Sequence, residues 1–195
     1  WNLKVDLPSF DKTTAQLRKT RQISSSQKRD RLPTFDELES LTKYFVRKWN
    51  HSSYSYPMHL IMWFAIFSCR REAEITRMQL NDYDETNKLW KIRDLKNPNG
   101  SKGNHKEFSV HDDCQQMIDL LLDGDVRHRM LKRGYDENLL VPLSPKTMGS
   151  EFRKACKLLG IDDLHFHDLR HEGCTRLAEK GMTIPQIQQV SLHDS

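Results

Sequence analysis

The chain has 195 residues, enough for one domain with its own core and a short extra segment, and too few for two full-sized domains. Hydrophobic residues make up 36% and charged residues 30%, with a mean hydropathy of −0.76; this is the composition of a soluble, polar protein, and no apolar run approaches the ~20 residues of a membrane span. Lys and Arg number 31 against 27 Asp and Glu, a net charge of +4, which permits a polyanionic partner without requiring one.

Residues 1–32 are rich in Ser, Thr, Lys and Arg and lack a sustained apolar period. They are expected to be a basic linker and the end of an N-terminal DNA-binding domain. The first residue is Trp1 rather than Met, so the chain is expected to be part of a longer protein. Within the linker, Arg18, Lys19, Arg21, Lys28, Arg29 and Arg31 face a single acid, Asp30. That charge suits a phosphate backbone and equally suits plain solvation. The second expected unit is residues 33–195.

Thr34 and Glu37 read as a capping box ahead of Leu38, Leu41, Phe45, Val46 and Trp49 at helical spacing. A second helix is expected over about 57–69, with Trp63, Phe64, Phe67 and the methionines as core. A third starts near Arg71, with Ile75 and Met78 inward. Residues 89–93 and 107–110 alternate like strands around the turn-forming run 96–104, which predicts a β-hairpin with a basic tip. Asp112 is expected to cap a helix carrying Met117, Ile118, Leu121 and Leu122. Ser144 caps another, with Pro145 in its first turn, and Gly160 ends it. A helix over about 169–179 ends at Gly181. Thr183 and Gln186 box the last, with Ile184, Ile187 and Val190 inward. Cys69, Cys114, Cys156 and Cys174 form no Cys-x-x-Cys pair, so reduced, mostly buried thiols are expected.

Three clusters can carry chemistry. His165, His167, Arg170 and His171 fall within seven residues. They could ligate a metal, but an arginine inside the cluster opposes a cation, so an anion site built on His167 and Arg170 is favoured. Arg70 and Arg71 lie at a helix start, where dipole and guanidinium together attract phosphate; pairing with Glu72 and Glu74 at the solvated surface is the alternative, expected for one of the two. Lys96, Lys102 and Lys106 of the hairpin tip are either solvated or a mobile proton donor.

In order and spacing, these residues resemble the tyrosine recombinases, the phage-type integrases. Arg71-x-x-Glu74-Ile75 matches the family's first arginine motif, Lys96 its hairpin lysine (with Lys102 as rival), and His167-Asp168-Leu169-Arg170-His171 its second motif letter for letter. Gly181, the Ile- and Gln-rich run 184–189 and His193 follow in family order, so the resemblance covers about 31–195. It departs at Leu192, where the family has glycine, and at Ser68-Cys69-Arg70, where Thr-Gly and an aliphatic are common.

The resemblance implies a mainly helical α+β domain with a small antiparallel sheet. It also implies site-specific DNA recombination by transesterification through a 3′-phosphotyrosyl link, with no cofactor and no metal. Arg71 and Arg170 would clamp the phosphate. His167 would donate to it or take the tyrosine's proton, Lys96 would protonate the leaving 5′ oxygen, and His193 would hydrogen-bond a phosphate oxygen. Glu74 and Asp168 would hold the arginine-bearing turn and the helix start, with His165 and His171 in support. Tyr44, Tyr54, Tyr56, Tyr83 and Tyr135 all precede the second motif, so the nucleophile is expected beyond Ser195. The implied partners are double-stranded DNA, further copies forming a tetramer on it, and accessory DNA-bending proteins, in the cytoplasm of a bacterial or phage-infected cell and not at a membrane. Two other classes stay open: a non-catalytic DNA-binding relative, and a metal-dependent hydrolase using His165, His167 and His171.

Overall fold

The computed structural model describes residues 30–96, 101–132 and 136–193. The expected linker, apart from residues 30–32, lies outside the described residues, as do the hairpin tip at 97–100 and Tyr135. The described residues are mostly helical with one small antiparallel sheet, the α+β arrangement expected.

Helix α1 (Phe35–Trp49) starts at the Thr34–Glu37 capping box, in which the Thr34 Oγ1 accepts from Glu37 N at 3.2 Å and Glu37 Oε2 accepts from Thr34 N at 2.8 Å. Arg31, read as a possible phosphate contact, binds Glu37 through Nη2 at 2.6 Å and the Asp162 carbonyl at 3.2 Å, so it ties the chain's entry to the domain. Helix α2 (Met58–Ser68) buries Met58, Ile61, Met62, Phe64, Ala65 and Ile66 on all sides, as a central helix must. It packs against α1, α4 (Asp112–Leu122), α6 (Pro145–Leu159) and α7 (Asp168–Glu179). Trp63 and Phe67 lie at its half-buried margin.

The third helix is shorter than expected. Helix α3 is a single turn, Glu72–Ile75, and Met78 is buried beyond it, where its carbonyl accepts from Leu140 N at 2.9 Å. The sheet has three strands, β1 (Tyr83–Asp84), β2 (Leu89–Ile92) and β3 (Lys106–Ser109), in the order β1-β2-β3. Trp90 faces Phe108 across β2 and β3, and both are fully buried, the cross-strand pairing that fixes register. Beyond the strands, Leu95 N donates to Asn104 O at 2.8 Å, which extends the hairpin to Leu95, the residue before Lys96.

Asp112 is the first helical residue of α4 rather than its cap; His111 holds the cap position and its Nε2 donates to Phe67 O at 2.7 Å. Helix α5 (Gly124–Leu131), which no periodicity signalled, is capped by Asp123 accepting from Asp125 N at 3.1 Å. Ser144, Pro145 and the left-handed Gly160 (φ 66°) bound α6 as expected. Helix α8 (Ile184–Ser191) keeps the Thr183–Gln186 box, yet Ile184 is 73% exposed; only Ile187 and Val190 turn inward, against α7 and β3.

Candidate anion-binding site

The site begins where α2 stops. Cys69 caps that helix in the left-handed conformation (φ 53°), and the reversal sends Arg70 and Arg71 in different directions. Arg70, for which surface solvation was one expectation, is 1% exposed. Its Nε donates to Ser68 O at 3.0 Å, its Nη2 donates to Val190 O at 2.5 Å, and its guanidinium lies 4.8 Å over the Phe108 ring. It braces α8 against the end of α2. Arg71 occupies the N-cap position of α3, with its side chain partly in solvent, and its Nη1 donates to Glu74 Oε1 at 2.7 Å.

Glu74 is the hub. Besides Arg71, its Oε2 lies 3.4 Å from Arg70 Nη1 and 3.8 Å from Arg170 Nη1. Burial pushes its proton affinity up, but Arg70, Arg170 and Arg71 overcome that and hold the carboxyl below the usual range. Three guanidiniums therefore share one carboxylate, and the excess is positive.

Arg170 comes from the first turn of α7 and is 1% exposed. That turn is fixed by the buried Asp168, whose Oδ2 accepts from His165 N at 2.8 Å, in keeping with the role expected of it. Arg170 Nη1 donates to Cys69 O at 2.6 Å and Nε donates to His193 Nε2 at 3.1 Å, while Nη2 is buried without a hydrogen-bond partner. Burial first, then the charges of Arg70 and Arg71, lower its proton affinity to about 10, which leaves it a cation at neutral pH. His167, at the N-cap of α7, stands edge-to-face with His171 at 5.3 Å. Partial loss of water around the ring, then His171, Arg71 and Arg170, hold it below the ordinary imidazole range. His167 is thus mainly neutral at pH 7 and able to accept a proton.

His193 follows Leu192, the C-cap of α8, which is left-handed at φ 56°; this is the conformation a glycine adopts without strain. The turn carries the imidazole back to Arg170, and its Nδ1 meets Ser191 Oγ at 3.1 Å. Both ring nitrogens of His193 are engaged within the chain, so its hydrogen bonds reach Arg170 directly.

Arg71, Leu95, Lys96, Asn104, Lys106, Leu192 and His193 line one recess. Lys102, the rival lysine, does not line it, whereas Lys106 does. His167 lines an adjoining recess with Glu72, Gly149, Arg153, His165 and Phe166. Of the five residues read as catalytic, Arg71, Lys96 and His193 thus share one wall, Arg170 lies behind His193, and His167 stands next door. Sequence reasoning missed the buried bracing role of Arg70, and the adjacent pair of arginines carries no signal that would assign it. Among the described residues no group of three or more His, Cys, Asp or Glu is arranged to hold a metal ion; His165 lies 3.8 Å from Asp163 instead. Nor is any helix among them long and apolar enough to cross a membrane.

The phage integrase family model matches residues 32–195. The chain is similar to the shufflon-specific DNA recombinase of Escherichia coli, 26% identical over 179 residues that cover 90% of this chain and 40% of that protein. It spans less than half the length of the curated relatives it matches. Among solved structures, XerA recombinase aligns with a TM-score of 0.60 at 19% identity over 98% of this chain and 68% of that one. A lambda integrase tetramer bound to a Holliday junction aligns with a TM-score of 0.61 at 17% identity over 96% of this chain and 57% of that one. At such identities these two likenesses speak for the fold.

Proposed function

The chain belongs to the phage integrase family, and from that premise we propose that residues 33–195 form the catalytic domain of a site-specific DNA recombinase that breaks and rejoins DNA by transesterification. The observation that carries this reading is the trio of guanidiniums around Glu74, with Arg170 Nη2 buried and unpaired. An unmet buried donor is costly. A phosphate oxygen would satisfy it, and the excess positive charge would stabilise the pentavalent transition state.

On this reading Arg71 and Arg170 hold the non-bridging oxygens, each a planar and permanent cation. His167, largely neutral at pH 7, takes the proton of the attacking hydroxyl. Lys96 protonates the leaving 5′ oxygen. The nucleophile is a tyrosine carboxy-terminal to Ser195, as the resemblance implies; Tyr54 instead donates to Glu151 at 2.6 Å and Tyr83 to Gln115. Because one phosphoester replaces another, neither ATP nor a cofactor is called for. Residues 1–32 serve as the linker from a DNA-binding domain, and the enzyme works as a tetramer on double-stranded DNA in the cytoplasm, with accessory DNA-bending proteins.

The test uses the full-length protein and a nicked DNA carrying its site, in EDTA. A covalent protein–DNA band on a denaturing gel is expected, absent in Arg170→Ala and in a Tyr→Phe change of the downstream tyrosine. DNA binding without any covalent band would instead support a non-catalytic relative.

A further inference from the structure

We propose that Cys69 and Cys174 form a redox-modification site behind the arginine pocket, where a hydroperoxide converts the two thiols to a disulfide and so weakens the grip of Arg170. The two come from different helices. Cys69 is the fully buried, left-handed cap of α2, and Cys174 is half-buried on α7. They pack with Leu177 and Val190 in a small apolar cluster separate from the main core, where the Cys69 thiol donates to Ile66 O at 3.7 Å. The helices approach closely here because position 173 is glycine: a Cβ there would stand 2.0 Å from Ile66 O and 2.8 Å from Cys69 Sγ.

The pair is chemically unlike the other cysteines. Cys114 and Cys156 lie in the main core, where burial pushes both thiols up, Cys156 to about 11. Cys174 is held below the ordinary thiol range by the neighbouring Cys69 thiol, then by His193 and the charge of Arg170, against its own partial burial. Cys69 is pushed up by its neighbour Cys174 and by burial. The asymmetry gives one half-buried attacking thiolate and one fully buried resolving thiol.

The step balances. The Cys174 thiolate attacks one peroxide oxygen, the O–O bond breaks, and the other oxygen leaves as water after taking a proton, which gives a sulfenic acid. The Cys69 sulfur then attacks the Cys174 sulfur, the S–S bond forms, and the hydroxyl leaves with the Cys69 proton as a second water. Each sulfur loses one electron and the peroxide gains two; a dithiol reductant reverses the change.

Arg170 sits astride this bond. It lies one turn before Cys174 on α7, its Nη1 donates to the Cys69 carbonyl at 2.6 Å, and its Nε donates to His193. Drawing the two sulfurs together to about 2.05 Å moves the Cys69 carbonyl to which Arg170 Nη1 donates. Formation of the disulfide stands on the thiols alone; its consequence for DNA rests on the function proposed above.

The full-length protein is treated with hydrogen peroxide, quenched by alkylation and mapped by mass spectrometry, while affinity for a short duplex is measured before and after. A linked peptide pair containing Cys69 and Cys174 is expected, with Cys114 and Cys156 still alkylated. DNA affinity should fall roughly tenfold, about the worth of one charge-assisted hydrogen bond, and return with dithiothreitol. Cys174→Ser should lose the peroxide response, as should Cys69→Ala. Absence of the linked peptide, or equal oxidation of Cys114, overturns the site. A complete link with unchanged affinity overturns the coupling. A reduced protein that never binds DNA instead counts against the recombinase reading, and the peptide map still judges the thiols.

Discussion

Arg170 Nε donates to His193 Nε2 at 3.1 Å, and the other ring nitrogen of His193 lies 3.1 Å from Ser191 Oγ. The donor on Arg170 fixes the tautomer: in the neutral ring, Nδ1 carries the proton and gives it to Ser191. His193 therefore sets the angle of the guanidinium. His193→Ala should lower the single-turnover cleavage rate about a hundredfold, the order expected for a small misplacement of a phosphate ligand, with little change in thermal stability. His193→Gln keeps an acceptor for Nε and should recover part of the loss. A glutamine as slow as alanine would mean that His193 acts at the phosphate and not through Arg170.

Glu74 is the sole carboxylate within 4 Å of Arg70, Arg71 and Arg170 among the described ion pairs, and it is 3% exposed. Glu74→Gln leaves buried guanidiniums without a counter-charge. Breaking a buried pair in this way costs about 3–5 kcal/mol, to be read as a lower urea midpoint at unchanged slope. The pH dependence follows in sign. With its folded proton affinity depressed, Glu74 contributes stability above the ordinary carboxylate range, and this contribution fades as pH falls through the folded value.

The elements that were legible in the sequence are those whose determinants lie three or four residues apart. The boxes at Thr34–Glu37 and Thr183–Gln186 and the Ser144 cap are satisfied within their own first turns. What was not legible depends on distant partners. Arg70 is distinguished from Arg71 by the left-handed Cys69 and by a carbonyl 120 residues away. Ile184 fits the apolar period of α8, but packing of Val190 and Ile187 fixes the rotation that leaves it outside. Helix α5 buries only Met130 and so shows no period at all. Lys96 could be ranked above Lys102 by its strand-end position, while the presence of Lys106 in the same recess depends on cross-strand register, Ile92 opposite Lys106.

Leu192 holds a left-handed cap and is half-buried against the core. Relief of the backbone is worth roughly 1–2 kcal/mol, and the lost packing is worth a similar amount. Leu192→Gly should thus be near neutral in stability, whereas Leu192→Ala loses the packing and keeps the strain. Thermal unfolding of the two variants checks the order; an alanine variant as stable as the glycine variant would contradict it.

Gly173 and Gly181 make opposite cases for the same substitution. A Cβ at Gly173 meets the Ile66 carbonyl at 2.0 Å, an immovable backbone atom, while Gly181 has open space but φ 83°. Gly173→Ala must push α7 off α2 and carry Arg170 with it. Overpacking of this kind costs about 1–3 kcal/mol, and DNA cleavage should fall further than stability alone explains. Gly181→Ala should cost about 1 kcal/mol and leave cleavage per folded molecule unchanged.

His59 shows how acid should unfold this domain. It lies on α2 with Nδ1 buried and unpartnered, its ring 5.9 Å from Trp49. Burial first, and then the charge of Arg129, push its proton affinity down from 6.5 to about 4. The folded state thus resists a proton that the unfolded chain accepts. Stability is full above pH 6.5 and falls as pH drops from there towards 4. Partial solvent access trims the loss to about 1–2 kcal/mol. His59→Gln removes the titration and should flatten the stability profile between pH 6.5 and 4, as measured by urea unfolding at each pH. A profile equally steep in the variant would show that His59 does not set the acid sensitivity in that window.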